Sequence, residues 1–382
     1  MKILYVTSYP LEYNTSANIR NLGLINGLIK NGNEVYTLSP YPNDLRFFSG
    51  DLLNVPFSGR YWLDSPSTHF QKKDNSQKNI KLKTWLLSIY SSFSVYDRRA
   101  SYAQRVNSST LGGEKFDIMI SSSDPKSAHV IAEMVMKKNI GKIGKWIQYW
   151  GDPFLNDVSH DHLFQKNKIR REERRLLSEA DKAVYVSPFT SEELEGNYPE
   201  FKDKIVFLPI PYIDSDKPKQ QFDVNSEYVA YMGNYGSVNR NIIPLVNAVN
   251  RLKIKTAIIG NSDVKIEPNE HLIIKERVPG KELEKFTQKV KIFVCICNKK
   301  GTQIPGKVYH YVNTRKPILI ILDGDRIDRM KSYFESFNRF YLCENKQSDI
   351  ESVLNTIISD NKTFSTPDSL NPTTIANEFV KL

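Results

Sequence analysis

The chain has 382 residues, with 53 Lys and Arg against 43 Asp and Glu for a net charge of +10, and it is 40% hydrophobic and 25% charged. That length exceeds what one hydrophobic core organises and predicts two domains of ordinary globular composition. No apolar run is long enough to span a bilayer, which excludes an integral membrane protein; the basic balance favours anionic partners without choosing among nucleotide diphosphates, nucleic acid and acidic lipid.

Residues 2–7 form a short apolar run that turns polar without a small-residue cleavage site, so they read as a first buried strand and the cytosol is the expected compartment. A helix is expected over residues 16–31, closed by Gly32, and a second strand over 34–38 completes a strand–helix–strand unit. Further strands are expected at 116–121, 145–149 and 182–186, each followed by a loop rich in Gly, Pro, Ser or Asp. The pattern changes near residue 205, and the polar stretch 214–226 reads as a linker. A second series then runs through 228–232, 255–259, 271–274, 291–297 and 317–322, and an apolar face of Ile375, Ala376, Phe379, Val380 and Leu382 predicts a closing helix. The resulting division is an N-terminal domain over 1–210, a linker over 211–226, a second domain over 227–364 and a C-terminal helix over 365–382.

Alternating βα units predict an α/β class with doubly wound parallel sheets, in which ligands gather where strands end. Cys295 and Cys297 alternate within an apolar strand and read as core, and Cys343 stands alone, so no thiol zinc site is expected. The most telling loop is Pro305-Gly306-Lys307, which opens a helix after an apolar strand. Free amides at a helix start favour an anion, and Lys307 adds a mobile charge; an ordinary Pro-Gly turn with a solvated lysine is the competing account. Gly233 to Gly236, with Asn234 between them, lets backbone approach a ligand, and Arg240 can pair two phosphate oxygens. A plain turn with a solvated arginine competes there too.

In the first domain Asp152 follows a strand end in Trp150-Gly151-Asp152-Pro153-Phe154, as a polar group at a reacting centre or as an Asx turn before Pro153. Ser121 to Pro125 read as a cap for the helix carrying His129. Ser16 and Asn18, in the first loop, are acceptor-side candidates or helix caps.

Taken together, Ala180-Asp181-Lys182-Ala183-Val184-Tyr185-Val186-Ser187, Phe207-Leu208-Pro209-Ile210-Pro211, Tyr231-Met232-Gly233-Asn234 and Pro305 through Tyr311 followed by Lys316-Pro317-Ile318 resemble the retaining GT-B glycosyltransferases of bacterial surface-polysaccharide (capsule and O-antigen) synthesis, of a family 4-like type. The resemblance covers most of the chain. It implies a GT-B fold, two Rossmann-like domains facing a cleft, with nucleotide-sugar donor held by the second and acceptor by the first. It implies a metal-independent hexosyl or N-acetylhexosaminyl transfer without a resident cofactor, from a donor expected to be UDP-linked to a glycan or a lipid-diphosphate-linked acceptor. Arg240 and Lys307 would stabilise the leaving diphosphate, with Asp152 at the reacting centre. Gly233, Asn234, Gly236, Pro305, Gly306, Tyr309 and His310 would line the donor, and Arg277 and Val278 would border its base.

One departure stands out. Many relatives carry two glutamates with seven residues between them, the second on the ribose, and Thr302 and His310 occupy those places here. Histidine can hydrogen-bond ribose hydroxyls but cannot accept two bonds as a carboxylate does. A non-catalytic transferase-like partner that binds or stabilises another transferase is therefore the alternative reading.

Residues 59–105 carry Lys72, Lys73, Lys78, Lys81, Lys83, Trp85, Tyr90, Phe93, Arg98 and Arg99. Such a segment can lean on an anionic membrane at its cytoplasmic face, or be a solvated insertion. Nucleic acid is not expected as a partner, because the aromatic residues form no RNA-binding motif.

Overall fold

The computed structural model describes residues 1–43, 55–64, 94–157, 165–213, 226–278, 280–360, 362 and 364–382. They divide into two compact units, one of Met1–Pro209 with Ile375–Leu382 and one of Ile210–Thr374.

The first unit is built on β1 (Lys2–Val6), β2 (Glu34–Ser39), β3 (Gly59–Trp62), β4 (Phe116–Ser122), β5 (Ile143–Trp150), β6 (Lys182–Tyr185) and β7 (Ile205–Phe207). They form one sheet in the order β3-β2-β1-β4-β5-β6-β7, every pair parallel. Ile3, Leu4, Tyr5 and Val6 are all fully buried, as a parallel strand covered on both faces requires. The 15-residue helix Ser16–Lys30 starts at Thr15, whose hydroxyl accepts from the Asn18 amide, and buries Leu22, Leu24, Ile25 and Leu28.

The second unit repeats the plan with β8 (Tyr228–Met232), β9 (Thr256–Ile259), β10 (Leu272–Lys275), β11 (Val290–Ile296), β12 (Ile318–Leu322) and β13 (Tyr341–Glu344) in the order β10-β9-β8-β11-β12-β13, again all parallel. In each sheet the strand order reverses once, at β1/β4 and at β8/β11. There the loops leaving adjacent strands diverge and open a crevice above their carboxyl ends.

Three expectations need correction, and a fourth, the helix opened by Lys307, is met by a short one. Strands β3, β7 and β13 were not foreseen, being three or four residues long at or beside a sheet edge. Residues 205–207, read as the start of a pattern change, instead close the first sheet. The helix carrying His129, Ser127–Lys138, begins after Lys126 without a side-chain cap, so Ser121 to Pro125 do not cap it. The helix opened by Lys307 is only five residues, Lys307–Tyr311. Of the basic stretch 59–105, residues 65–93, and with them Lys72 through Phe93, lie outside the described residues, as does most of the expected linker. The described flank is tied down locally: the Arg99 guanidinium lies 3.7 Å from the Tyr9 ring centroid and 3.4 Å from Asp97.

Among the described residues no helix is long and apolar enough to cross a membrane. All three cysteines are free and buried.

The closing helix Pro372–Lys381 turns Ile375, Ala376 and Phe379 inward, and Phe379 packs edge-to-face on Tyr149 of β5 with ring centroids 5.2 Å apart. The Phe379 side chain is fully buried, so its removal leaves a cavity that packed neighbours cannot close. Phe379→Ala is expected to cost about 3–5 kcal/mol. Denaturant melts of the parent and the variant measure it, and an unchanged midpoint would show that the helix contributes nothing to the first unit.

Candidate functional site

In the second unit, the loops leaving β8 and β11 bring Arg240 and Lys307 together. The Lys307 ammonium donates to the carbonyl of Met232, the last residue of β8. Arg240 Nε donates to Asn298 Oδ1 at 2.7 Å, and its Nη1 to the Asn234 carbonyl at 3.4 Å. Burial, with Arg277 and Arg240 close by, pushes the Lys307 pKa down to about 8. These neighbours are felt by buried Cys295 as well, whose thiol burial pushes up to about 12 against the pull of Lys307 and Arg240. Among the described residues both cations meet carbonyl or amide oxygens rather than carboxylates.

The glycine loop is held by the neighbouring strand end. Asn234 Oδ1 accepts from the Asn261 amide at 3.3 Å, and Asp263 accepts from the Ser237 amide and hydroxyl at 3.1 and 2.6 Å. A Cβ on Gly260 would stand 1.9 Å from the Gly233 carbonyl oxygen, and one on Gly236 would stand 2.5 Å from Asp263 Oδ1. Glycine is therefore required where these two loops cross. Asn261 Oδ1 in turn accepts from the Arg277 amide at 3.1 Å, which fixes the start of the loop holding Arg277 and Val278. A hollow of about 490 Å³ opens over the ends of β9 and β10, lined by Tyr235, Asn261, Asp263, Lys275 and Glu276 among others. Its lining includes neither Arg240 nor Lys307.

The helix start at Pro305 and Gly306 differs from expectation in weight. With one turn of helix, and the Val308 and Tyr309 amides already donating to the Pro305 and Gly306 carbonyls, little of a helix dipole is left for an anion. Charge there comes from side chains. Tyr309 is buried, its hydroxyl 2.8 Å from that of Tyr333, so it faces the core. Thr302 is buried and His310 half-buried.

The first unit gathers charge differently. Asp124, Asp152 and Asp157 bring carboxylate oxygens within 4.8 Å of one another, a grouping that spacing alone did not disclose. The Lys126 ammonium is set among them, paired with Asp124 and, at 2.7 Å, with Asp157. Burial first, then Asp124, pushes the Asp152 carboxyl up to about 7. Its loop is anchored by Glu173, also missed in the sequence: this 1% exposed carboxylate accepts from the Phe154 amide at 2.8 Å and the Tyr198 hydroxyl at 2.9 Å. A glutamate in the polar run of helix Lys166–Glu179 gives no sign of that role.

Asn18 is spent on its own loop, its amide donating to the Pro10 and Tyr13 carbonyls at 2.8 Å each, whereas Ser16 is exposed. His129 is fully buried with Nδ1 2.8 Å from Ser121 Oγ, and burial and Lys126 hold it neutral.

No family model matches the sequence, and no curated protein matches it. Solved structures do. The chain is similar to AviGT4, a glycosyltransferase involved in avilamycin A biosynthesis, at 10% identity and TM-score 0.53, covering 100% of this chain and 96% of that one. At the same TM-score and 11% identity it is similar to sucrose-phosphate synthase from Thermosynechococcus elongatus, over 100% and 98% of the two chains. It matches UDP-GlcNAc 2-epimerase from Methanocaldococcus jannaschii equally well, at 11% identity and TM-score 0.53 over 100% and 99%. With the two parallel sheets, these likenesses show a GT-B fold, which transferases and an epimerase share.

Because Lys126 neutralises two carboxylates in a site largely closed to water, deleting its charge strands them. Lys126→Met is expected to destabilise the protein by about 3–5 kcal/mol, read as a lower denaturation midpoint at pH 7.5. A midpoint equal to the parent's would mean that the carboxylates are solvated.

Proposed function

We propose that this protein is a retaining glycosyltransferase that moves a sugar from a nucleotide-diphosphate sugar, expected to be UDP-linked, to a hydroxyl of a glycan or lipid-linked acceptor. The observation that carries the proposal is the gathering of Arg240 and Lys307 at the strand-order reversal of the second sheet, with Arg277, on the loop after β10, close enough to lower the Lys307 pKa. Among the described residues Arg240 and Lys307 meet only oxygen dipoles, which suits a diphosphate, whose charge grows as it leaves.

In this reading the bond between the anomeric carbon and the diphosphate oxygen breaks while the acceptor oxygen bonds to the same face of that carbon. The acceptor proton passes to the departing diphosphate, so no strong base is needed. Arg240 and Lys307 gain most as the leaving oxygen becomes anionic, which lowers the barrier rather than merely tightening binding. Arg240 is held for this by Asn298, and Lys307 by the Met232 carbonyl. The first unit takes the acceptor, whose hydroxyl the ionised Asp152 orients. A lipid-diphosphate acceptor would place the work at the membrane face in surface-polysaccharide synthesis, with the basic segment 59–105 against anionic lipid.

Thr302 and His310 favour a second reading, a nucleotide-sugar-binding partner without turnover. The two separate in one assay, in which purified protein is incubated with UDP-sugars and tested for transfer and slow hydrolysis. Arg240→Ala and Lys307→Ala are expected to lower the rate by about 10²–10³-fold each, and Asp152→Asn by less. Parent-like rates in the first two variants would remove their role, and binding without any turnover would establish the partner reading.

Two titrations set the pH dependence. Asp152, raised to about 7, is ionised only above that pH, and Lys307, lowered to about 8, is charged only below it. The kcat/KM for transfer, which reads the free protein, is expected to be bell-shaped, falling below about pH 7 and above about pH 8. Lys307→Met should abolish the alkaline limb, and a limb that survives in this variant would assign it to another group.

A further inference from the structure

Gln303 is 4% exposed, and neither its amide nitrogen nor its amide oxygen has a hydrogen-bond partner. Among the described residues it is the one carboxamide with both atoms buried and unmet. The fold satisfies comparable groups elsewhere. Gln148, fully buried in β5, donates to the Leu176 carbonyl at 2.8 Å and accepts from Trp150 Nε1 at 2.9 Å. Buried Asn18 places both its donors on carbonyls. A carboxamide desolvated with its donors and acceptor idle costs stability that methionine or leucine, similar in size, would not. Such a cost asks for a partner from outside the fold, and a ligand can supply it.

The place of Gln303 says which ligand. It lies in the loop from β11 to helix Lys307–Tyr311, four residues before Lys307. Asn298, whose Oδ1 holds Arg240 Nε at 2.7 Å, donates through Nδ2 to the Gln303 carbonyl at 3.3 Å. The residue that aims the phosphate-binding guanidinium thus also fixes the main chain of Gln303. An amide that can donate and accept at once complements a pair of neighbouring hydroxyls, each of which does the same. We propose that Gln303 is a specificity-determining residue that binds a vicinal hydroxyl pair on the glycosyl group of the donor. This inference rests on the transferase reading of the same site and adds the group that reads the sugar.

Hydroxyl pairs occur on the glycosyl group and on the ribose, and the two sources separate by comparing each nucleotide with its sugar conjugate. Binding of UDP, UDP-glucose, UDP-galactose, UDP-N-acetylglucosamine, GDP and GDP-mannose to the parent and to Gln303→Met is measured by calorimetry, alongside thermal melts. The expected result is at least a fivefold loss of affinity for the conjugate that the parent binds, an unchanged affinity for its free nucleotide, and a melting temperature equal to or above the parent's. Equal losses for nucleotide and conjugate would assign the amide to the ribose and overturn the proposal. Unchanged affinities with a lower melting temperature would show an amide satisfied within the fold, and overturn it as well. Failure of the parent to bind any of the six would remove the donor site itself, and with it both this inference and the proposed function.

Discussion

Arg240 and Lys307 share a small space at the ends of β8 and β11 in which among the described residues only neutral oxygens answer their charge. Burial first, and then repulsion from Arg277 and Arg240, leaves a lysine that gives up its proton near pH 8. Each cation is held from the main chain or an amide: Lys307 on the Met232 carbonyl at the end of β8, and Arg240 on Asn298 and the Asn234 carbonyl. An arriving dianion reverses the balance. It supplies the missing countercharge, restores the proton to Lys307 and turns a strained apo arrangement into a satisfied one.

The first unit solves the opposite problem. Three carboxylates converge there, but one ammonium sits among them, and Asp152 is relieved further by holding a proton to about pH 7. What remains is a site with a small net negative charge near physiological pH, suited to an uncharged hydroxyl rather than to a phosphate. The two units thus differ in electrostatics although they share a topology. Each places its polar groups on loops leaving the carboxyl ends of its strands, Asp124 and Lys126 after β4 and Asp152 and Asp157 after β5 in one, Arg240 after β8 and Lys307 after β11 in the other.

Most of the fold was legible because buried parallel strands are nearly continuous apolar runs. Residues 3–6, 118–120, 229–232, 292–296 and 318–322 announce themselves in this way. Strands β3, β7 and β13 did not, since these short edge strands are mostly half-buried and mix polar with apolar residues, as loops also do. The site was legible in part. Gly233, Arg240 and Lys307 stood at loop positions that strand ends made conspicuous, and the structure brings the two cations together. Lys126, Asp157, Glu173 and Asn298 were silent because their work depends on partners 19 to 58 residues away in the chain, and no local pattern records such a pairing. Gly260 is silent for the same reason, its constraint being the carbonyl of Gly233 in another loop.

The GT-B fold does not choose the chemistry, since a transferase, a synthase and an epimerase match it equally well. The choice rests on what an acceptor would meet. An epimerase must take a proton from carbon, which calls for a base whose pKa is tuned and whose approach is fixed. A retaining transferase asks mainly that a leaving diphosphate be stabilised as it departs, and cations do this without a base. The second unit offers concentrated positive charge with a partly discharged lysine. Charge stabilisation is what these residues are equipped to deliver, and in the proposed reading the unmet amide of Gln303 would be completed by the sugar carried on the diphosphate.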